Sequence, residues 1–158
     1  MRPLVIDVLA PSYLGRQMSN QPHGDLVVDE IPGLLEALRL PLILVALCAI
    51  LTDATQVEVR VPLPNVRAAL VMNARAYAGR LGDNDALDIW RLLQSAGNAG
   101  HTAADWPTGS TARYAAALLH RHFGAPSSGG PCRATSNRTN QARIRVLTAH
   151  IVQNPTRI

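Results

Sequence analysis

The segment "QVEVRVPLPNVRAALVMNARAYAG", residues 56 to 79, changes its hydrophobic period halfway along, and no single element accommodates both halves. Up to Pro62, Val57, Val59 and Val61 alternate with Glu58 and Arg60, which is the period of a strand. Beyond Asn65 the apolar residues recur at steps of three and four, which is the period of a helix. The apolar run "LILVALCAI" precedes the alternating strand, and "LTDAT" joins the two, so a β-hairpin with one packed and one wet face is expected. Everything before the switch is β-rich and everything after it is helical. The expected class is therefore α+β, with a sheet region over 1–62 and a helical region over 63–158 forming one compact unit.

Around the switch the elements follow from turn and cap signals. A strand is expected over residues 3–10, closed by "APSYLG", and a shorter one at Leu26 to Val28; "RQMSNQPHG" between them reads as loop. "IPGLLEAL" supplies a helical turn or two before Pro41. Asn65 is a good N-cap for a helix to about Arg80, and Asp83 or Asn84 for one from about Asp85 to Ala96. Thr102 and Asp105 have capping-box spacing. "STARYAAALLHRHFG" reads as a helix stopped by Gly124, "APSSGGPC" as loop, and "NQARIRVLTAHIV" as a final amphipathic helix with Ile144, Leu147 and Ile151 on one stripe.

Composition narrows the chemistry. All fifteen basic residues are Arg, so no mechanism that needs an ε-amino group is open to the chain. All eleven acids lie within residues 1–105; residues 106–158 hold seven Arg and no acid, an asymmetry that suits an acidic partner such as RNA or DNA, or simply a solvated helical face. Two cysteines without metal spacing, and a start without a signal-peptide pattern, favour a cytoplasmic setting. The longest apolar run, Leu40 to Leu51, is twelve residues and too short to span a bilayer as a helix, so no membrane partner is expected.

Candidate functional residues are those that polarity or charge sets apart from their surroundings. Asp7 is an acid within the apolar strand "LVIDVLA". On the helix from Asn65 the stripe Val66, Leu70, Asn73, Tyr77, Arg80 brings Asn73 and Arg80 to the face that should be core. Asn73 then needs a hydrogen-bond partner or a wet cleft, because unpaired burial of an amide costs about 1–3 kcal/mol. Asp85 and Asp88 are i,i+3 neighbours in the first turns of the next helix; helix capping and dipole complementation compete there with metal holding or the orientation of a basic group. "TGSTAR" has no Walker lysine, so Ser110 or Thr111 is expected to cap a helix. His120 and His122, two apart on a helix, point in divergent directions and cannot share a metal.

The series "IDVLAPSYLGR", "GDLVVDEIPGLLEAL" and "VEVRVPLPNVRAALVMNARAYAGRLGDNDALDIWRLLQSA" resembles the C-terminal portion of the AbiEii/AbiGii-type nucleotidyltransferases of actinobacteria. These are toxin components of type IV-like toxin–antitoxin pairs, related to the polymerase-β-like nucleotidyltransferase fold. The resemblance covers about residues 3–152 and implies a partial mixed and antiparallel sheet of that fold followed by a helical bundle. Members transfer nucleotides from an NTP, with Mg²⁺, to an acceptor that in some is the 3′ end of tRNA. By resemblance, Asp7 stands at the third carboxylate of the metal site, and Asn73 in "LVMNARAY" at the place of the family's phosphate-contacting Lys. Asp85 and Asp88 match the acids that follow. Arg75 and Arg80 are the substitutes for phosphate contact, and Arg143 and Arg145 on the last helix are candidates for RNA contact.

Departures from the family pattern set the expected activity. The Gly-Ser turn and the Asp-x-Asp pair that hold Mg²⁺ and the triphosphate have no counterpart here, and neither does the Lys. Loss of one charge-stabilising group typically costs 10²–10³ in rate. The expectation is a truncated nucleotidyltransferase-like protein with little or no transfer by itself, a remnant or one half of a split gene whose upstream product supplies the rest. Two other readings stand beside it: a non-catalytic module that binds tRNA or an antitoxin through its basic C-terminal helices, and an enzyme with a minimal metal site of Asp7, Asp85 and Asp88. An unpaired edge on the Asp7 strand would also favour self-association.

Overall fold

The computed structural model describes residues 8–13 and 16–154. Asp7 lies outside them, as does most of the strand expected over 3–10. The first described strand is β1 (Leu9–Pro11), which pairs in parallel with β3 (Leu26–Ile31), while β2 (Met18–His23) pairs antiparallel on the other side of β3. The small mixed sheet expected is therefore present in the order β1-β3-β2.

Strand β2 occupies the stretch expected to be loop. It was hidden because Asn20 and Pro22 are poor strand residues. They are tolerated at an edge with a register irregularity between Met18 and Gln21, where Asn20 takes φ +56° and its N–H donates to Asp29 Oδ1 at 2.9 Å. Helix α1 (Leu34–Arg39) follows the sheet. Its Glu36 carboxylate lies against Gly109, at the start of a later helix, where a Cβ on residue 109 would come within 2.7 Å of Glu36 Oε1.

The hairpin of β4 (Ile43–Ile50) and β5 (Gln56–Leu63) has the expected register, Leu47 opposite Val59, but not the expected packed face. Leu44 is 68% exposed and Ile50 76%, and Ile43, Leu47, Val59 and Leu63 on the opposite face are also exposed. Each strand packs chiefly on the other. Alternation had reported the strand correctly, yet it carries no information about whether another element covers the apolar side. At the hairpin's tip Leu51 N–H donates to Thr55 O and Ala54 N–H to Leu51 O, with Ala54 held at φ +66°. A non-glycine residue pays about 1 kcal/mol for that left-handed conformation.

The helical half carries the core. Helix α2 (Val66–Arg80) starts at Asn65, whose side chain accepts from Arg67 N–H and Ala68 N–H at 3.1 Å each and donates to Pro41 O at 3.2 Å. Helix α3 (Asp83–Asn98) begins two residues earlier than expected, with Gly82 at the cap and Asp83 already in the first turn. A 3₁₀ turn (Ala103–Asp105) has the capping box expected of Thr102 and Asp105. Helix α4 (Ser110–Leu119) is capped by Gly109 rather than by Ser110 or Thr111, and runs into a π-helical turn (His120–Gly124). There the two histidines diverge: His120 Nε2 lies 3.1 Å from Val152 O, while His122 meets the edge of Tyr77 with ring centroids 5.5 Å apart. Burial pulls the His122 pKa below its ordinary value.

Two segments of the C-terminal region differ from expectation. Residues Gly130–Ala134 form a helical turn, α5, where loop was expected, with Pro131 near its start as helix N-termini favour. The last helix, α6 (Arg138–Ile151), begins at an Asn137 cap. Ile144 and Ile151 are buried on the expected stripe, with Thr148 beside them donating back to Ile144 O at 2.9 Å. The core joins α2 (Leu70, Val71, Tyr77), α3 (Ile89, Leu93) and α4 with the π turn (Leu119, Phe123), and Trp106 caps it with Nε1–H donating to Ala112 O at 3.0 Å. Because Asn65 satisfies two helix-terminal donors and fastens the hairpin's entry to α2, Asn65→Ala is expected to lower stability by about 1–2 kcal/mol; chemical denaturation with a helix-sensitive signal measures it.

Candidate anion-binding cleft

Helix α2 buries Leu70, Val71, Ala74 and Tyr77 on one side. The residues offset from these, Met72, Asn73, Arg75, Ala76, Gly79 and Arg80, form its other face by the same helical spacing. That face looks onto the mixed sheet, and the gap between them is an open cleft of about 520 Å³. Leu9 of β1, Ile31 and Pro32 at the end of β3, and Arg16 with Gln17 close its other wall. The stripe from Val66 places Asn73 and Arg80 toward the core; they instead line this wet cleft, on the side of α2 away from Leu70, Val71 and Tyr77.

Three guanidinium groups and two carboxamides, Asn73 and Gln17, line the cleft. Asn73 donates from Nδ2 to Ala69 O at 2.9 Å, which fixes the amide plane and satisfies one of its donors. Arg75 lies over the Tyr114 ring, its Cζ 4.8 Å from the centroid, an arrangement in which a cation is attracted by the ring face. Burial lowers the Arg75 pKa, opposed by Tyr114, but an arginine retains its charge at neutral pH. Arg80 donates from Nη2 to Asp85 Oδ1 at 2.6 Å and from Nε to Asp85 Oδ2 at 3.1 Å. This two-point pairing raises the Arg80 pKa.

The Arg80–Asp85 bridge depends on the joint between α2 and α3. Leu81 turns the chain at φ +51° and Gly82 follows, and a Cβ at 82 would sit 2.9 Å from Asp85 Oδ2. Glycine therefore lets the carboxylate fold back over the joint to reach Arg80. Asp88, one turn along α3, is exposed and lies 3.5 Å from Arg91. Asp85 and Asp88 thus serve separate arginines. Among the described residues no group of three His, Cys, Asp or Glu side chains is arranged to hold a metal ion. Engaged with separate arginines, Asp85 and Asp88 do not form a pair for Mg²⁺.

The remaining candidates fall elsewhere. Arg143 is exposed on α6, and Arg145 is half-buried with Nε donating to Ala125 O at 3.4 Å; neither lines the cleft. Arg16 and Tyr114 were not singled out in sequence. Arg16 stands in a polar stretch that reads as loop, and Tyr114 meets Arg75 only through the contact of α4 with α2, so neither carries a local signal. No protein-family model, curated protein or solved structure matches this chain. Because Asp85 competes for Arg80, Asp85→Asn is expected to tighten pyrophosphate binding about fivefold, equivalent to roughly 1 kcal/mol; isothermal titration calorimetry gives the ratio, and an unchanged affinity would remove Arg80 from the ligand contacts.

Proposed function

We propose that this chain is a nucleotidyltransferase-like protein whose cleft holds the phosphates of a nucleotide or an RNA end, and that it binds them without transferring a nucleotide by itself. The observation that carries this reading is the convergence of Arg16, Arg75 and Arg80 with the Asn73 carboxamide in one open cleft. Arginine matches phosphate oxygens with two parallel donors, and each charge-assisted bond contributes about 1.5–3 kcal/mol. The apolar wall of Leu9, Ile31 and Met72 suits the flat face of a base or sugar beside those phosphates. Binding is favoured over transfer because Asp85 and Asp88 are each matched to an arginine and do not converge on the cleft as a metal pair.

The order of roles follows from exposure. Arg16 is solvent-exposed and free to adapt to an incoming phosphate. Arg75 is held by its stack on Tyr114, which preorganises it at the cost of reach. Arg80 presents whatever donors its bridge to Asp85 leaves open. The asymmetric charge of residues 106–158 adds a long-range attraction for a polyanion that is independent of this geometry.

Fluorescence anisotropy with a labelled ATP analogue and a labelled tRNA acceptor-end oligonucleotide tests the reading. Arg16→Ala/Arg80→Ala is expected to weaken both probes by about tenfold or more, with affinity falling steeply as salt rises. Arg143→Ala/Arg145→Ala is expected to leave the ATP analogue unaffected. A larger loss of oligonucleotide binding in the α6 variant than in the cleft variant would transfer the function to the basic C-terminal helices. Incorporation of labelled nucleotide into tRNA by the chain with Mg²⁺ would overturn the claim that it only binds.

A further inference from the structure

The hairpin β4–β5 is the largest part of the described chain without a packed side. Its register sorts its residues cleanly between two faces. One face holds Ile43, Val45, Leu47 and Ala49 from β4 against Leu63, Val61, Val59 and Val57 from β5, with no polar residue among them. The other carries the charged pair of β5, Glu58 and Arg60. A lone two-stranded hairpin is marginally stable in water, and a sheet of three or more strands is the usual remedy.

The hydrogen-bond phase identifies which groups on β5 are open. Leu51 N–H donates to Thr55 O, so Leu51 and Thr55 form a hydrogen-bonded pair. Antiparallel pairs alternate, and with Ile50 opposite Gln56 the bonded positions within the hairpin continue at 49 with 57, 47 with 59 and 45 with 61. The N–H and C=O groups of Gln56, Glu58 and Arg60 therefore face outward from β5. Pro62, which has no N–H, falls at an outward position of the same edge, consistent with this phase.

From these placements we propose that two copies of this chain join through the outer edges of β5, antiparallel about a two-fold axis at Val59, to make one four-stranded sheet. In that register Glu58 lies opposite Arg60 of the second copy, and Arg60 opposite its Glu58. Outward-facing backbone groups meet outward-facing ones, and the two Val59 residues meet on the axis. Moving the axis to residue 58 or 60 would instead bring like charges directly together, which is destabilising. The charge spacing on β5 thus selects one register of one edge. The edge of β4 presents Leu44, Ala46, Cys48 and Ile50 and offers no such selection.

Charge exchange tests the register. Analytical ultracentrifugation of the full chain is expected to show a dimer. Glu58→Arg alone, or Arg60→Glu alone, is expected to raise the dimer dissociation constant by about tenfold, because two facing pairs per dimer turn from attractive to repulsive. Glu58→Arg combined with Arg60→Glu is expected to restore it. In a Cys48→Ser/Cys132→Ser background, Val59→Cys is expected to crosslink on mild oxidation, since residues facing each other at a non-bonded pair lie at Cα distances of about 4.5 Å, within disulfide reach. A monomer at all concentrations would overturn the proposal, and so would a dimer insensitive to the single reversals. Crosslinking through Cys48 of the unaltered chain, with none through Val59→Cys, would assign the contact to the β4 edge and overturn it equally. Far-ultraviolet circular dichroism of each variant confirms that the helical half is folded.

Discussion

Helix α2 packs on the helical core along one side and borders the cleft along the other, and that constraint organises the rest of the structure. One side seals the helical core through Leu70, Val71, Ala74 and Tyr77; the other faces the mixed sheet across the cleft. A helix in this position cannot divide neatly into an apolar and a polar half. Small residues ease this: Ala68 and Ala74 are buried against the core, and at Gly79, where a Cβ would meet nothing within 4 Å, there is open space beside the cleft's arginines. The cation cluster of the cleft is therefore a by-product of the packing that holds the helices together, since Arg75 can rest on Tyr114 only because α4 packs on α2.

The helical half was legible in the sequence to a large extent, for a local reason. Asn65, and Thr102 with Asp105, cap elements through hydrogen bonds to residues two or three positions away, and such bonds leave a mark in the order of residues. Asn137 works in the same way at α6, three residues before the start expected for that helix. The β half was less legible because its decisive interactions are distant. Strand β2 owes its existence to pairing with β3 and overrides the weak propensity of Asn20 and Pro22. The hairpin's strands were recognisable from alternation, yet nothing in alternation distinguishes a face that is covered from one that is not.

The same division applies to the site. Asn73 and Arg80 stand out in sequence because polar residues interrupt a helical pattern, Arg75 only through the family resemblance, and all three line the cleft. Arg16 arrives there from a segment about sixty residues away in sequence, with no pattern to link it to them. Asp85 looked like a dipole-complementing or metal-holding acid, but Leu81 and Gly82 fold its carboxylate back onto Arg80. A carboxylate paired at two points with an arginine is a counter-ion first. The consequence is a cleft with a built-in competitor for one of its cations, so its affinity for phosphate is set partly by the strength of that internal bridge.

The most direct test of a phosphate-holding cleft is a residue-by-residue one. In a heteronuclear NMR titration of the full chain with pyrophosphate, the account predicts that the Nε–H signals of Arg16 and Arg75, the Nε–H signal of Arg80 as its bridge to Asp85 is contested, and the Asn73 side-chain amide move together along one binding curve. Signals of Arg143 and Arg145 should stay in place. Movement concentrated on α6, or no concerted movement in the cleft, would contradict it.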